Sequence, residues 1–178
     1  MTAGRLPRAT LVLGGQRSGK SAYAEHLLES QPGGLVYLAT AEAHDGEMAE
    51  RIAAHRARRG TRWSTVEAPL ELAPALAQAA GPERTVLVDC LTLWLSNLLG
   101  AERDPDGEAA RLVEAIGRLP GPAVFVSNEV GQGIVPDNAL ARAFVDHAGR
   151  LHQAVAAAAD RVVLVAAGLP QTLKHPSA

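Results

Sequence analysis

Short apolar runs alternate along the chain with longer stretches whose apolar residues recur at helical spacing, the pattern of parallel strands covered by helices. The first run, Thr10-Leu11-Val12-Leu13, predicts a strand that ends in a glycine-rich loop, with a helix from Ser21 to Glu29 behind it. After the turn Gln31-Pro32-Gly33-Gly34, a second strand is predicted over Leu35 to Thr40. A helix is predicted from about Glu47 to Arg59, with Asp45 near its start as a cap. Beyond Gly60 come a short strand from Trp63 to Val66 and an alanine- and leucine-rich helix opened by Pro69 and closed at Gly81-Pro82. Thr85 to Cys90 reads as the clearest strand, Leu91 to Leu99 as an apolar helix, and Gly100 to Gly107 as a polar surface loop before a helix reaching about Leu119. Ala123 to Ser127 is a further strand, leading into the glycine-rich loop Glu129 to Pro136. A long helix over Asn138 to Ala159 carries Leu140, Phe144, Ala148, Leu151 and Val155 on one stripe. Val162 to Val165 is expected to close the sheet.

The sequence contains no internal repeat, low-complexity tract or domain boundary, so its 178 residues are expected to form one α/β domain, 1–178, with 1–8 and 175–178 as flexible ends. A net charge of −2 and 3% aromatic residues argue against a nucleic-acid-binding strip. The one cysteine, Cys90, excludes an internal disulfide framework and fits a reducing compartment. The N-terminus lacks the apolar core of a signal peptide, and no apolar run approaches the roughly 20 residues of a membrane span. A soluble, cytoplasmic protein is expected.

Chemistry enters at Gly14-Gly15-Gln16-Arg17-Ser18-Gly19-Lys20-Ser21, which fits G-x-x-x-x-G-K-[ST] without a mismatch and lies between a predicted strand and helix. Glycines let the backbone wrap a phosphate with its N–H groups inward, and the helix N-terminus adds partial positive charge. Lys20 is positioned for the β and γ phosphates of a nucleoside triphosphate, and Ser21 for Mg²⁺. Asp89, ending a buried strand, suits a second Mg²⁺ ligand, and it equally suits an N-cap for the next helix. Cys90 beside it reads as a small buried residue, since no basic neighbour would lower its pKa.

Met48, Ile52, His55 and Arg59 share one helix face, and Arg56, Arg58 and Arg59 follow the histidine directly. Residue type alone describes a helix-surface histidine with solvated arginines, although a neutral imidazole nitrogen is also a competent nucleophile toward phosphorus. His147 and His152, five residues apart on one helix, do not share a face for a metal. His26 and His175 have no supporting constellation, and His44 is near enough in sequence to compete with His55 but lacks the adjoining arginine cluster.

Several segments together resemble the bifunctional adenosylcobinamide kinases/adenosylcobinamide-phosphate guanylyltransferases of cobalamin biosynthesis. They are Gly14 to Ser21, Tyr37-Leu38-Ala39-Thr40-Ala41, the run Asp45 to Arg56 with its Arg51-Ile52-Ala53-Ala54-His55, the run Asp89 to Leu99, and Asn128-Glu129-Val130-Gly131-Gln132-Gly133-Ile134-Val135-Pro136. The resemblance spans about Leu11 to Leu169, and its last segment is far more particular than the phosphate loop.

It implies a P-loop NTPase fold, a RecA-like and mostly parallel sheet flanked by helices, assembled as a homotrimer. It implies phosphorylation of adenosylcobinamide by ATP or GTP, with Mg²⁺, then transfer of GMP from GTP through a GMP–histidine intermediate at His55. By the same resemblance Ala39, Thr40, Ala41, Arg56, Ala57, Arg58 and Arg59 line the GTP site, with Glu67 and Asp89 also contacting nucleotide. A carboxylate such as Glu67 suits guanine, which offers adjacent N–H donors that adenine lacks; a solvated strand-end acid is the alternative. Glu129 is a candidate for the kinase-step base or for organising Mg²⁺, or else a loop carboxylate holding the glycine turn. The C-terminal run Gly168 to Lys174 departs slightly from the family's usual ending.

Overall fold

The computed structural model describes residues 6–41 and 60–176. The predicted helix from Glu47 to Arg59, and with it His44, His55, Arg56, Ala57, Arg58 and Arg59, lies outside the described residues.

Seven strands form one sheet. They are β1 (Ala9–Gly14), β2 (Gly34–Ala39), β3 (Trp63–Glu67), β4 (Arg84–Asp89), β5 (Ala123–Asn128), β6 (Arg161–Ala166) and β7 (Leu169–Lys174). Their spatial order is β3-β2-β4-β5-β1-β6-β7, with every pairing parallel except the antiparallel β6–β7 edge. The central strands are buried on both faces, which is why they read as unbroken Val/Leu runs and not as alternating ones. Period-2 alternation divides them between two cores. Leu11, Leu13, Val36, Leu38, Val86, Val88 and Phe125 face α2 (Leu72–Ala79), α3 (Leu91–Gly100), α4 (Pro105–Gly117) and α5 (Ala139–Ala158). Val12, Leu35, Tyr37, Leu87, Val124, Val126 and Val163 face α1 (Lys20–Glu29).

Four expectations are corrected. The sheet is closed by β7 and not by β6. Ala167 and Gly168, both at positive φ (51° and 78°), make a two-residue turn of the primed kind that sends the chain back along β6. Residues 105–107 belong to α4 and not to the preceding loop, because Asp104 caps the helix by accepting from the Asp106 N–H (3.1 Å) and Pro105 takes the first position, where a missing N–H costs nothing. The apolar stripe of α5 is fully buried only from Ala148 onward; Phe144 packs against the core while partly buried, and Leu140 is 70% exposed. Leu6 and Arg8, expected in a flexible end, are tied to the fold. Leu6 is buried and its N–H donates to Gln31 Oε1 (3.1 Å), while Arg8 pairs with Asp160.

Candidate functional site

Register brings the sequence-predicted residues to one edge of the sheet. Ala39 at the end of β2 is level with Glu67 on β3 and with Asp89 on β4. Gly14 at the end of β1 is level with Asn128 on β5, and the Glu129 N–H donates to Gly14 O (3.0 Å). Residues from five separated stretches of chain thus meet where parallel α/β sheets place their ligands, beyond the carboxyl ends of the strands. β5 lies between the strand that carries the glycine loop and the strand that ends in Asp89.

The loop from Gly14 to Lys20 is shaped by residues a side chain would spoil. A Cβ on Gly14 would stand 2.4 Å from Ser18 Oγ and 2.6 Å from Val165 O, so only glycine fits between loop and β6. Arg17 and Gly19 take positive φ (56° and 94°), which turns successive amides toward one side as in an anion-binding nest. Helix α1 starts at Lys20 with no side-chain cap, leaving the N–H groups of its first turn for a ligand. Space beside Gly15 is open, with nothing within 4 Å of where a Cβ would stand. Lys20 is buried along its stem and donates from Nζ to Gly15 O (3.2 Å), folding its charge over the loop. From outside, the β6–β7 turn braces the loop through a Gly168 N–H to Ser18 O bond of 2.8 Å.

Around Asp89 the contacts are mostly ones the sequence did not announce. Tyr37 Oη donates to Asp89 Oδ2 (3.2 Å) from the neighbouring strand. The N-cap of α3 is Cys90, without a side-chain bond, so Asp89 does not cap that helix. Cys90 is buried, and burial, aided by the Asp89 charge, pushes its thiol up to about 11, which leaves it protonated and inert. Thr40 Oγ1 both accepts from the Cys90 N–H and donates to the Cys90 carbonyl, each at 2.8 Å. Asn97 Nδ2 reaches from α3 to Thr40 O (2.8 Å) and Pro69 O (3.0 Å), so the chain leaving β2 toward Ala41 is held from below. Thr40→Val keeps the shape and removes both bonds to Cys90, leaving its buried N–H unpaired while the carbonyl keeps the Trp94 N–H as its partner. The expected cost is about 2 kcal/mol of stability in urea denaturation, against near-neutrality if those bonds do not matter.

Thr92 links this region to β5, accepting from Asn128 Nδ2 (3.0 Å) and lying 3.2 Å from Cys90 Sγ. Asn128 Oδ1 and Ser18 Oγ are buried with no hydrogen-bond partner among the described residues, which marks the space between loop and β5 as one that wants further donors and acceptors. Glu129 Oε1 accepts from the Gly131 N–H (2.7 Å), so the carboxylate does hold the glycine turn. Its other oxygen lies 4.0 Å from His152 Nδ1. His152 sits on the buried stripe of α5, bonded through Nε2 to Ser127 Oγ (2.7 Å), and burial lowers its pKa against the opposing pull of Glu129. His147 turns outward to Asp106 and Arg150, away from His152. Glu67 is exposed at the end of β3.

Among the described residues no group of three or more His, Cys, Asp or Glu side chains converges as a cage for a metal. The hydroxyl of Ser21 and the carboxylate of Asp89 are oxygen donors of the kind that suits a hard ion such as Mg²⁺, which one or two protein oxygens can hold together with substrate phosphates.

Against solved structures the fold has wide company. The chain is similar to a RadB recombinase (TM-score 0.55, 16% identity, 90% of this chain and 76% of that one). It is also similar to the flagellar accessory protein FlaH of Methanocaldococcus jannaschii (TM-score 0.54, 10% identity, 94% and 78%). At such identities the likeness establishes a RecA-like P-loop fold and nothing finer. Sequence relatives are far nearer. A bifunctional adenosylcobalamin biosynthesis protein of Pseudomonas aeruginosa, CobP, is 53% identical over 167 residues, covering 92% of this chain and 96% of that one. One of Salmonella typhimurium, CobU, is 42% identical over 179 residues, covering 92% and 98%. The model of the family described as cobinamide kinase / cobinamide phosphate guanyltransferase matches residues 10–173, from the second residue of β1 to the next-to-last residue of β7. With that agreement along almost its whole length, the chain belongs to this family of bifunctional kinases and nucleotidyltransferases.

Proposed function

We propose that the protein phosphorylates the aminopropanol hydroxyl of adenosylcobinamide with ATP or GTP. It then transfers GMP from GTP to the resulting phosphate through a GMP–His55 intermediate, giving adenosyl-GDP-cobinamide and pyrophosphate. The observation that carries the kinase half is the uncapped start of α1 behind a loop with inward amides, with Lys20 folded over it, on the same sheet edge as Asp89 and Glu129.

In the first reaction the loop amides of Gly15 to Ser21 and the Lys20 ammonium hold the β and γ phosphates. Ser21 and Asp89 would hold Mg²⁺, which supplies charge neutralisation on the phosphoryl oxygens. Glu129 accepts the proton of the substrate hydroxyl as its oxygen bonds to the γ-phosphorus, and the bond to the departing nucleoside diphosphate breaks. Lys20 offsets the charge that develops on that leaving group.

The second reaction starts when a neutral imidazole nitrogen of His55 attacks the α-phosphorus of GTP and expels pyrophosphate. Arg56, Arg58 and Arg59 neutralise the triphosphate and the departing pyrophosphate. A phosphate oxygen of adenosylcobinamide phosphate then forms its bond to the α-phosphorus, the P–N bond breaks, and His55 is restored. Ala39, Thr40, Ala41 and Ala57 line the nucleotide, and Glu67 accepts from the guanine N–H groups. We further propose one catalytic domain over 1–178, a homotrimer, and a cytoplasmic location.

Product analysis tests the reading. With adenosylcobinamide and GTP, label from the γ position is expected on the corrinoid, and label from the α position is expected first on the protein as an acid-labile, base-stable adduct. Corrinoid phosphorylation without any protein adduct would reduce the protein to a kinase.

A further inference from the structure

His152 is a buried polar side chain on an otherwise apolar stripe of α5, the helix that packs Ala148, Leu151 and Val155 against the sheet. Burying an imidazole there is costly unless both ring nitrogens are engaged. Nε2 is engaged by Ser127 Oγ at 2.7 Å. Ser127 is fully buried on β5, and its hydroxyl hydrogen has no other acceptor among the described residues, so the serine is the donor and Nε2 the acceptor. A neutral imidazole that accepts at Nε2 carries its hydrogen on Nδ1. That nitrogen faces Glu129 Oε2 at 4.0 Å.

Glu129 is otherwise fixed at two points. Its N–H is tied to Gly14 O at the root of the phosphate loop, and Oε1 is tied to the Gly131 N–H. The free direction of the carboxylate is therefore the one that the imidazole addresses. A separation of 4.0 Å is too long for a hydrogen bond, but catalytic contacts commonly shorten when substrate is bound.

We propose that His152 is a positioning residue for the kinase step. Held by Ser127 in the Nδ1–H tautomer, it donates to Glu129 Oε2 in the substrate complex and aims the carboxylate at the substrate hydroxyl. This rests on the reading of Glu129 as the base of that step. The arrangement is that of an acid–base group oriented from behind by a partner which never touches the substrate, and loss of such a partner commonly costs tenfold or more.

The test is a double-mutant cycle on the whole protein, with corrinoid phosphorylation and protein guanylylation followed separately. His152→Leu removes the donor, while His152→Asn places an amide N–H near the position of Nδ1. His152→Leu is expected to lower the kinase kcat about tenfold with the nucleotide KM within about twofold, and to leave the protein–GMP adduct forming at its normal rate. His152→Asn should recover most of the loss. In a Glu129→Gln background His152→Leu should cost nothing further. Should His152→Leu fail to fold, Ser127→Ala, which frees the tautomer, is expected to give the same split between kcat and KM. An undiminished kcat, an equal fall in both reactions, or full additivity with Glu129→Gln would each overturn the proposal. A Glu129→Gln variant that phosphorylates normally would show instead that the reading of Glu129 had failed, and His152 would lose its role with it.

Discussion

His55→Ala is expected to abolish guanylylation, by at least about 10⁴-fold, while phosphorylation of adenosylcobinamide continues at a rate near that of the intact protein. The asymmetry follows from the two halves of the proposed cycle. In the first, the nucleophile is the substrate's own hydroxyl, and the groups that serve it stand on the sheet edge at Gly14 to Ser21, Asp89 and Glu129. In the second, the nucleophile is the protein, and without an imidazole no P–N bond can form. The variant should therefore accumulate adenosylcobinamide phosphate, visible by chromatography, and take up no label from the α position of GTP. Continued formation of adenosyl-GDP-cobinamide by the variant would take His55 out of the mechanism. His55→Gln is expected to behave like alanine, because the lone pair of an amide nitrogen is delocalised into its carbonyl and makes a poor nucleophile.

The second large effect is expected at Lys20. Its stem is buried and its ammonium rests against Gly15 O, a contact that a phosphate oxygen can replace. Lys20→Ala removes the positive charge that the proposed mechanism sets against the β and γ phosphates and should lower the kinase kcat/KM by about 10²- to 10³-fold. Lys20→Arg should restore little, since a planar guanidinium cannot occupy the space of a compact ammonium within a loop this tight. The urea midpoint of either variant is expected to remain near that of the unmodified chain, which separates lost phosphate binding from lost folding. Retention of most kinase activity in Lys20→Ala would exclude the loop as the phosphate site.

Much of this was legible because parallel strands leave a strong trace. The runs at Thr10, Leu35, Thr85 and Ala123 are apolar on both faces, and the phosphate loop falls where a strand gives way to a helix. What escaped depended on neighbours distant in sequence. Leu169 to Lys174, with Pro170 and alternating polar positions, does not read as a strand; it becomes one because the Ala167-Gly168 turn returns it to β6. His152 looks like a stray polar residue on a helix until Ser127, 25 positions earlier, is found facing it. Tyr37 is likewise invisible as a neighbour of Asp89, since register between strands is not written in either strand alone, and Thr92 meets Asn128 only through the packing of α3 on β5. The start of α4 at Asp104-Pro105 was a missed local signal, a capping residue followed by the proline that favours a first helical turn.

The brace that Gly168 provides for Ser18 has a consequence for how the protein is made. Strand β1 is made before the other six, yet its two neighbours begin at Ala123 and Arg161, so it has no partner until β5 is made and only one until β6 follows. The trio β3-β2-β4 can assemble much earlier. The phosphate loop is thus among the last parts of the nascent chain to gain its full support, since both flanking strands and the Gly168 brace come from the C-terminal third.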